Sequence, residues 1–456
     1  MVPLHRRGWS RGLRCVDGPP LLLRARPIAI RQIFDRVADF VRDRSLDGLT
    51  NGCRPFSRDG VFSVPLLTTL LIQLAAFGDA FGYSSLLAWT WMQAAIGAVR
   101  LPVPGCPSAE AFTIARKKLR PAFFKVLHSH LLQAFSKTKP KAAAWKGRRL
   151  LAVDGCRFTL PRSKKLWERF GGPTGSAWPQ TTVTLLFDVL GRVATSFALG
   201  PFAEDERAAL LTLIPDMIPK DVVLLDRGYV SFEVLCRLVS AKVDFVMRVP
   251  IKGTFSQVLT FARSGRIEEW LVLDRPKNAP QDLPEHLRVR IVRRQKRPGR
   301  GLFVLTSLTE HEAAAPKVLW LYRQRWQIED EYRCWKSNAR VERQFHAKSP
   351  EGVEQEVWGK LIYYTLSRLL FASASKRGRM AFNDIRVKEG FTRITVSLIV
   401  LILGSPIKAR SVLLELLEGL TARRYRRRQD RSYPRRSLSP FPKWGPRGRR
   451  SRRKYG

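Results

Sequence analysis

The sequence has few acidic residues for its size. Its 456 residues include 38 Asp and Glu against 81 Lys and Arg, which gives a formal net charge of +43. This imbalance predicts a polyanionic partner such as a nucleic acid. A disordered basic chain is excluded, because a hydrophobic fraction of 45% with 12 Trp and 25 Phe is typical of folded proteins. We therefore expect two or three folded domains that carry the positive charge on their surfaces.

Three common kinds of site or segment are also missing. The 6 cysteines form no Cys-x-x-Cys pair and have no accompanying histidine cluster, so the pattern predicts neither a zinc site nor a disulfide framework. No apolar run is both long and uninterrupted enough to cross a bilayer, so we expect no membrane contact and a cytoplasmic location. The glycine-rich segment 170–178 lacks the Gly-Lys-Ser/Thr ending of a nucleotide-binding loop, so ATP binding is not predicted.

The hydrophobic pattern divides the chain into a helical part and an α/β part. Helical spacing of apolar residues predicts an all-α N-terminal domain at 31–146, after an extension at 1–30 that we expect to be disordered. From residue 148, short apolar runs alternate with helical segments, an order typical of an α/β domain with a mixed sheet. The strand-like runs are 150–155, 181–187, 192–197, 221–226 and 245–249, and the turn at 188–191 predicts that the second and third of them form a β-hairpin.

The second half of the chain is predicted to complete this α/β domain, which we place at 147–375. Short strand-like pieces separated by proline and charge clusters indicate a β-rich insertion at about 252–300, and a long helix follows from about residue 313. Apolar helices are expected at 376–422, including one helix over 396–420. The arginine-rich end, 423–456, is expected to be a disordered tail that contacts nucleic acid.

Four residues with useful chemistry share one face of the helix that follows the insertion. Tyr322, Arg325, Glu329 and Lys336 lie at offsets 0, 3, 7 and 14, within an arc of about 60°. A metal-binding carboxylate beside cations that bind phosphate oxygens fits chemistry on a nucleic-acid backbone. A solvated charged surface fits the same pattern, with Glu329 paired to a neighbouring arginine, and we expect Trp326 to pack in the core.

Two further acids, Asp154 and Asp226, each lie at the end of a buried strand-like run. With Glu329 they could form a site for Mg²⁺ or Mn²⁺, because these ions prefer oxygen ligands, and two ions could serve the attacking and leaving oxygens. Each aspartate could equally cap a turn or a helix.

At these residues the chain resembles the IS4-type DDE transposases of bacterial insertion sequences. The residues Tyr322, Arg325, Glu329 and Lys336 match the Tyr-x2-Arg-x3-Glu-x6-Lys signature of that family in full. The runs 151–161 and 224–229 resemble the blocks that hold its first and second catalytic aspartates. The similarity covers about 148–336, and three blocks agree in order and spacing.

The resemblance implies an RNase H-like fold in which Asp154, Asp226 and Glu329 bind the metal ions. It also implies that Arg325 and Lys336 hold phosphates of double-stranded DNA near the transposon end, with Tyr322 beside them. The implied reaction is metal-dependent cleavage at the ends of the element, followed by transfer of the freed 3′-OH to target DNA by a homodimer in a synaptic complex. Two other interpretations are a non-catalytic DNA-binding protein derived from a transposase and a nuclease of the same fold without strand transfer.

The basic tail supplies the first prediction. Deleting residues 423–456 should weaken duplex DNA binding about tenfold or more at low salt, because each phosphate contact releases counterions. The slope of log affinity against log salt, measured by fluorescence anisotropy, should become shallower. An unchanged slope would mean that the tail does not contact DNA.

Overall fold

One mixed β-sheet forms the centre of the molecule. The computed structural model describes residues 60–136, 144–297, 300–337, 345–380 and 384–425. The strands are β1 (Leu150–Thr159), β2 (Gln180–Asp188), β3 (Val193–Pro201), β4 (Val222–Leu225), β5 (Asp244–Val249), β6 (Glu268–Asp274), β7 (His286–Arg297) and β8 (Arg300–Thr306). Within the described residues they form a single 8-stranded sheet in the order β3-β2-β1-β4-β5-β8-β7-β6.

Only the middle of this sheet is parallel. Strand β4 pairs in parallel with β1 on one side and with β5 on the other. The remaining neighbours in the described sheet pair antiparallel, including the predicted hairpin of β2 and β3. The predicted mixed α/β class is therefore confirmed.

Helices cover both faces of the sheet. Side chains alternate along each strand, so Ala152 and Leu224 join the larger hydrophobic cluster, whereas Leu151 and Leu225 join a second cluster on the opposite face. The helices are α1 (Val64–Phe77), α2 (Tyr83–Ala95), α3 (Ala109–Arg116), α4 (Pro121–Ser136), α5 (Lys164–Phe170), α6 (Glu206–Leu213), α7 (Phe232–Ser240), α8 (Ser256–Ser264), α9 (Ala315–Gln324), α10 (Trp326–Ser337), α11 (Pro350–Arg377), α12 (Val387–Leu403) and α13 (Pro406–Thr421).

The region predicted as a β-rich insertion extends the central sheet. Strands β6 and β7 pair with each other, and β7 pairs with β8, which in turn pairs with β5. Helix α8 also lies in this region, where only strands were expected. Its Val258 and Phe261 are buried against the second cluster, which explains why the segment folds as an amphipathic helix.

The N-terminal helices pack on α11. Gln73 of α1 donates a hydrogen bond to the carbonyl of Thr395, and buried Arg116 forms an ion pair of 2.9 Å with Glu356 of α11. Residues of α1 to α4 belong to the same hydrophobic cluster as residues of α11 and the sheet. Separation of an N-terminal domain from the α/β domain therefore stays a prediction.

The C-terminal apolar segment is two helices, whereas one helix over 396–420 was expected. Helix α12 ends at Gly404, and α13 begins with Ser405 as its N-cap and Pro406 in its first turn. Proline is compatible with a first helical turn and disrupts a helix interior, which explains the break. No helix among the described residues is long and apolar enough to cross a membrane. The predictions for 1–30, for the start of the helical region, for 137–143 and for the tail beyond 425 lie outside the described residues.

Buried His128 on α4 generates a pH prediction. Its Nε2 lies 3.1 Å from Thr365 Oγ1 of α11, and burial lowers its pKa to about 3, from about 6.5 when exposed. The unfolded chain therefore binds a proton that the folded chain excludes, and stability should fall by about 1.4 kcal/mol per pH unit as the pH drops below 6.5.

We expect His128→Gln to remove this part of the acid sensitivity, as measured by urea unfolding between about pH 7 and pH 5. His130→Gln, on the exposed side of the same helix, is the matched control. Equal pH dependence in wild type and His128→Gln would contradict the assignment.

Candidate active site

Asp154 and Asp226 lie side by side at the parallel centre of the sheet. The last pair in the β1–β4 register is Ala152 with Leu224, and each aspartate lies two residues farther along its strand direction. Side chains two residues apart point to the same face, so both carboxylates lie on the face covered by α9 and α10. The expectation that two neighbouring strands bring these acids together agrees with this register.

Asp154 lies inside a strand, although a position at its end was expected. Strand β1 continues to Thr159 because its far half pairs with β2, where Asp154 lies opposite Leu185. Only the parallel pairing with β4 stops before Asp154. The aspartate thus marks the point where β1 loses one neighbour and its side chain can face an opening.

The carboxyl of Asp154 is costly to ionise. Burial raises its pKa to about 6, and the charges of Glu206 and Glu329 act in the same direction. The backbone N–H of Gly155 donates to Oδ1 at 2.9 Å, and this bond and the charge of Arg325 act in the opposite direction. A buried carboxyl with acids around it is suited to a cationic partner.

Asp226 follows β4 and begins the 3₁₀ turn Arg227–Tyr229. Its Oδ1 accepts a hydrogen bond of 3.3 Å from the hydroxyl of Tyr322, whose ring is buried in the larger cluster. Tyr322 therefore connects the end of α9 to the second aspartate. Sequence spacing did not suggest this contact.

The predicted long helix is broken at Arg325, between α9 and α10. The turn tightens there, because the N–H of Arg325 bonds to the carbonyl of Tyr322 and the N–H of Ile328 bonds to the carbonyl of Arg325. The prediction that these residues share one face of a continuous helix was therefore wrong. Tyr322, Arg325 and Glu329 nevertheless lie next to one another across the break. The side chain of Lys336 lies outside the described part of α10.

Arg325 is the buried cation of the site. Its side chain is 7% exposed, and Nη2 donates to Glu329 Oε1 at 2.9 Å. It also hydrogen-bonds to Tyr322 and lies close enough to Asp226 for that charge to raise its pKa. The alternative interpretation of this face as a solvated charged surface is therefore wrong for Tyr322 and Arg325, because both residues are buried. Trp326, expected in the core, is 59% exposed.

Sequence reasoning missed three residues at this site. Tyr332 donates a hydrogen bond of 2.5 Å to the carbonyl of Asp154. Tyr229 is buried with its hydroxyl electrostatically coupled to Asp154 and Asp226. Glu206, at the start of α6, interacts with Asp154. Tyr229 lies in the block around Asp226 and could have been found there, whereas Glu206 stands in a charged run that no spacing distinguishes.

The chemistry of these donors fits a hard divalent cation. Asp154, Asp226 and Glu329 offer only carboxylate oxygens, the ligands that Mg²⁺ and Mn²⁺ prefer, and half-buried Asp154 has no ion-pair partner among the described residues. Their side chains are not gathered into a closed set, since no group of three or more His, Cys, Asp or Glu in the described part of the chain could hold a metal ion.

The strain of burying Asp154 gives a stability prediction. In the presence of a chelator at neutral pH, Asp154→Asn should raise the midpoint of thermal unfolding by a few degrees. The amide removes a poorly solvated charge, and its oxygen can still accept the hydrogen bond from the backbone N–H of Gly155. Differential scanning calorimetry measures the change. Asp282→Asn, which removes only a surface partner of Arg237, is the control. A lowered midpoint for Asp154→Asn would contradict this view of the site.

Comparisons with known proteins point to one family. Residues 145–366 match the family model of the transposase DDE domain. The transposase InsG for insertion sequence element IS4 of Escherichia coli strain K12 is 25% identical over 232 residues, which are 49% of this chain and 52% of the relative. The chain thus spans about half the length of the curated relative it matches.

A solved structure also matches at low similarity. It is the cryo-EM structure of a piggyBac transposase synaptic complex with hairpin DNA, with 12% identity, a TM-score of 0.40 and coverage of 88% of this chain and 86% of that chain. The matched domain contains Asp154, Asp226 and Glu329, and the part of the chain at 145–366 is similar to the DDE domain of transposases.

Proposed function

We propose that this chain is a DNA transposase that cleaves the ends of an insertion sequence and transfers the freed 3′-OH to target DNA. The observation that carries the proposal is that Asp154, Asp226 and Glu329 each interact with the same buried residue, Arg325. These acids come from three separate blocks of the chain. We further propose that the sheet and its helices are an RNase H-like catalytic domain.

Asp154, Asp226 and Glu329 are the residues that would hold Mg²⁺ or Mn²⁺. Two such ions, when bound, would activate the attacking oxygen and stabilise the leaving one. In the first reaction water attacks the phosphorus at the end of the element, and the bond from phosphorus to the 3′ oxygen breaks. In the second, that 3′-OH attacks a phosphorus of the target strand and displaces its 3′ oxygen.

The side chains around the acids have distinct tasks in this proposal. Tyr322 holds Asp226 through its hydroxyl, and Tyr332 fixes the backbone at Asp154. Arg325 holds Glu329, and its burial favours this positioning role. Phosphate binding by Arg325 and Lys336 remains a prediction from the family signature.

The DNA phosphates would meet exposed arginines at the rim of the site. Arg227 follows Asp226 and is exposed, and exposed Arg248 of β5 interacts electrostatically with Tyr322. Such cations attract phosphate oxygens and leave the sequence of the bases unread. Double-stranded DNA is therefore the proposed substrate, and a homodimer in a synaptic complex, acting at the bacterial nucleoid, is the proposed working form.

Substitution of the three acids tests the proposal. Asp154→Asn, Asp226→Asn and Glu329→Gln should each lower metal-dependent cleavage of an end-containing duplex by about a thousandfold or more, because charge stabilisation worth several kcal/mol is lost. DNA binding by gel shift should change little. Asp282→Asn, at a surface ion pair, should cleave like the wild type.

Activity retained in any of the three variants would refute the assignment of that residue. A pre-cleaved end supplied with a target duplex separates the two steps. Joined product supports a transposase, whereas cleavage without joining would indicate a nuclease. Loss of both steps in the wild type would indicate a non-catalytic DNA-binding protein.

A further inference from the structure

A buried hydroxyl faces the acids without a hydrogen-bond partner. Tyr229 is 2% exposed, and its hydroxyl oxygen makes no hydrogen bond to the described residues. Burial and the charges of Asp154, Glu206 and Asp226 all raise its pKa. Buried hydroxyls nearly always have a partner, because an unsatisfied one costs about 1–3 kcal/mol. The hydroxyl is therefore placed to bond to a group of this site.

The carboxylate of Glu206 lies against the turn that carries Tyr229. A Cβ at position 228 would lie only 2.6 Å from Glu206 Oε2, so the carboxylate rests against the glycine between Asp226 and Tyr229. Arg207 holds the two segments together, because its Nε donates to the carbonyl of Gly228 at 3.2 Å. The carboxylate of Glu206 makes no hydrogen bond or ion pair within the described part of the chain.

We propose that Glu206 is a fourth carboxylate that binds the divalent cation, and that Tyr229 is a positioning residue that donates a hydrogen bond to one of these carboxylates. This inference rests on the proposed function and adds two residues to its site. A bound cation would offset the repulsion that Asp154 receives from Glu206 and Glu329. The donor also gives Tyr229 the partner that its burial demands.

A structural role for Glu206 predicts different behaviour. An acid in the first turn of a helix interacts favourably with the helix dipole, and Glu206 occupies that position in α6. Glu206→Gln would then lower thermal stability slightly and leave cation binding unchanged. Affinity for a cation therefore distinguishes the two roles, and activity is not needed as a readout.

The experiment is a titration of the full chain with Mn²⁺, in which electron paramagnetic resonance measures the concentration of the free ion at each step. Glu206→Gln should weaken Mn²⁺ binding about tenfold or more, in the range found when groups next to a metal site are removed. Glu204→Gln is the matched control, because Glu204 lies two residues away and is not one of the charged residues that shift the pKa of Asp154 most. It should bind Mn²⁺ like the wild type.

Two more variants test the geometry and leave all the acids in place. Gly228→Ala should displace the carboxylate of Glu206 and weaken Mn²⁺ binding, whereas Gly82→Ala, where a Cβ meets nothing within 4 Å, should not. Tyr229→Phe should weaken Mn²⁺ binding about tenfold without lowering the thermal midpoint, because it removes a hydroxyl that makes no hydrogen bond to the residues that the structure describes.

The outcomes separate this inference from the proposed function. Binding that is weakened by Asp154→Asn and unaffected by Glu206→Gln would overturn the inference and leave the proposed function standing. Absence of Mn²⁺ binding in the wild type would overturn both. Weaker binding in Glu206→Gln and Gly228→Ala together, with a normal Glu204→Gln, would support the fourth carboxylate.

Discussion

The buried guanidinium of Arg325 is the interaction around which the site is organised. A charged group this far from water would cost several kcal/mol if it had no partner. Arg325 has Glu329 in a hydrogen bond, Tyr322 in another, and Asp226 within electrostatic reach. Through these partners, one cation relates the turn between α9 and α10 to the end of β4. Its charge also favours ionised Asp154 in the middle of β1.

The alternation of side chains in the central strands allows this arrangement. Ala152 and Leu224 face the larger cluster, and Asp154 and Asp226 each lie two residues after one of them. Because β1 and β4 pair in parallel, these two aspartates occupy corresponding positions on the face of the sheet that the helices cover. Helix α10 supplies the third acid from above that face. Strand β1 positions Asp154, the end of β4 positions Asp226, and helix α10 positions Glu329.

Much of this could be predicted from the sequence. The mixed α/β class and the hairpin after β1 follow from hydrophobic periodicity, and the spacing of Tyr322, Arg325 and Glu329 indicates the similarity to a transposase DDE domain. The break at Arg325 could not be predicted, because a tight turn and an α-helix place nearby residues on similar faces. The position of Asp154 inside β1 also could not be predicted, because the length of β1 depends on its pairing with β2. Glu206 reaches the site only through the packing of α6 on the turn at Gly228.

The packing of the N-terminal helices on α11 bears on how the chain folds as it is synthesised. Gln73 and Thr395, which share a buried hydrogen bond, are separated by 322 residues. The apolar faces of α1 and α4 thus leave the ribosome long before the helices that bury them. Contacts of such long range slow folding, because a large loop must close before they form. The nascent chain therefore exposes these helices to chaperones and to aggregation until α11 and α12 have been made.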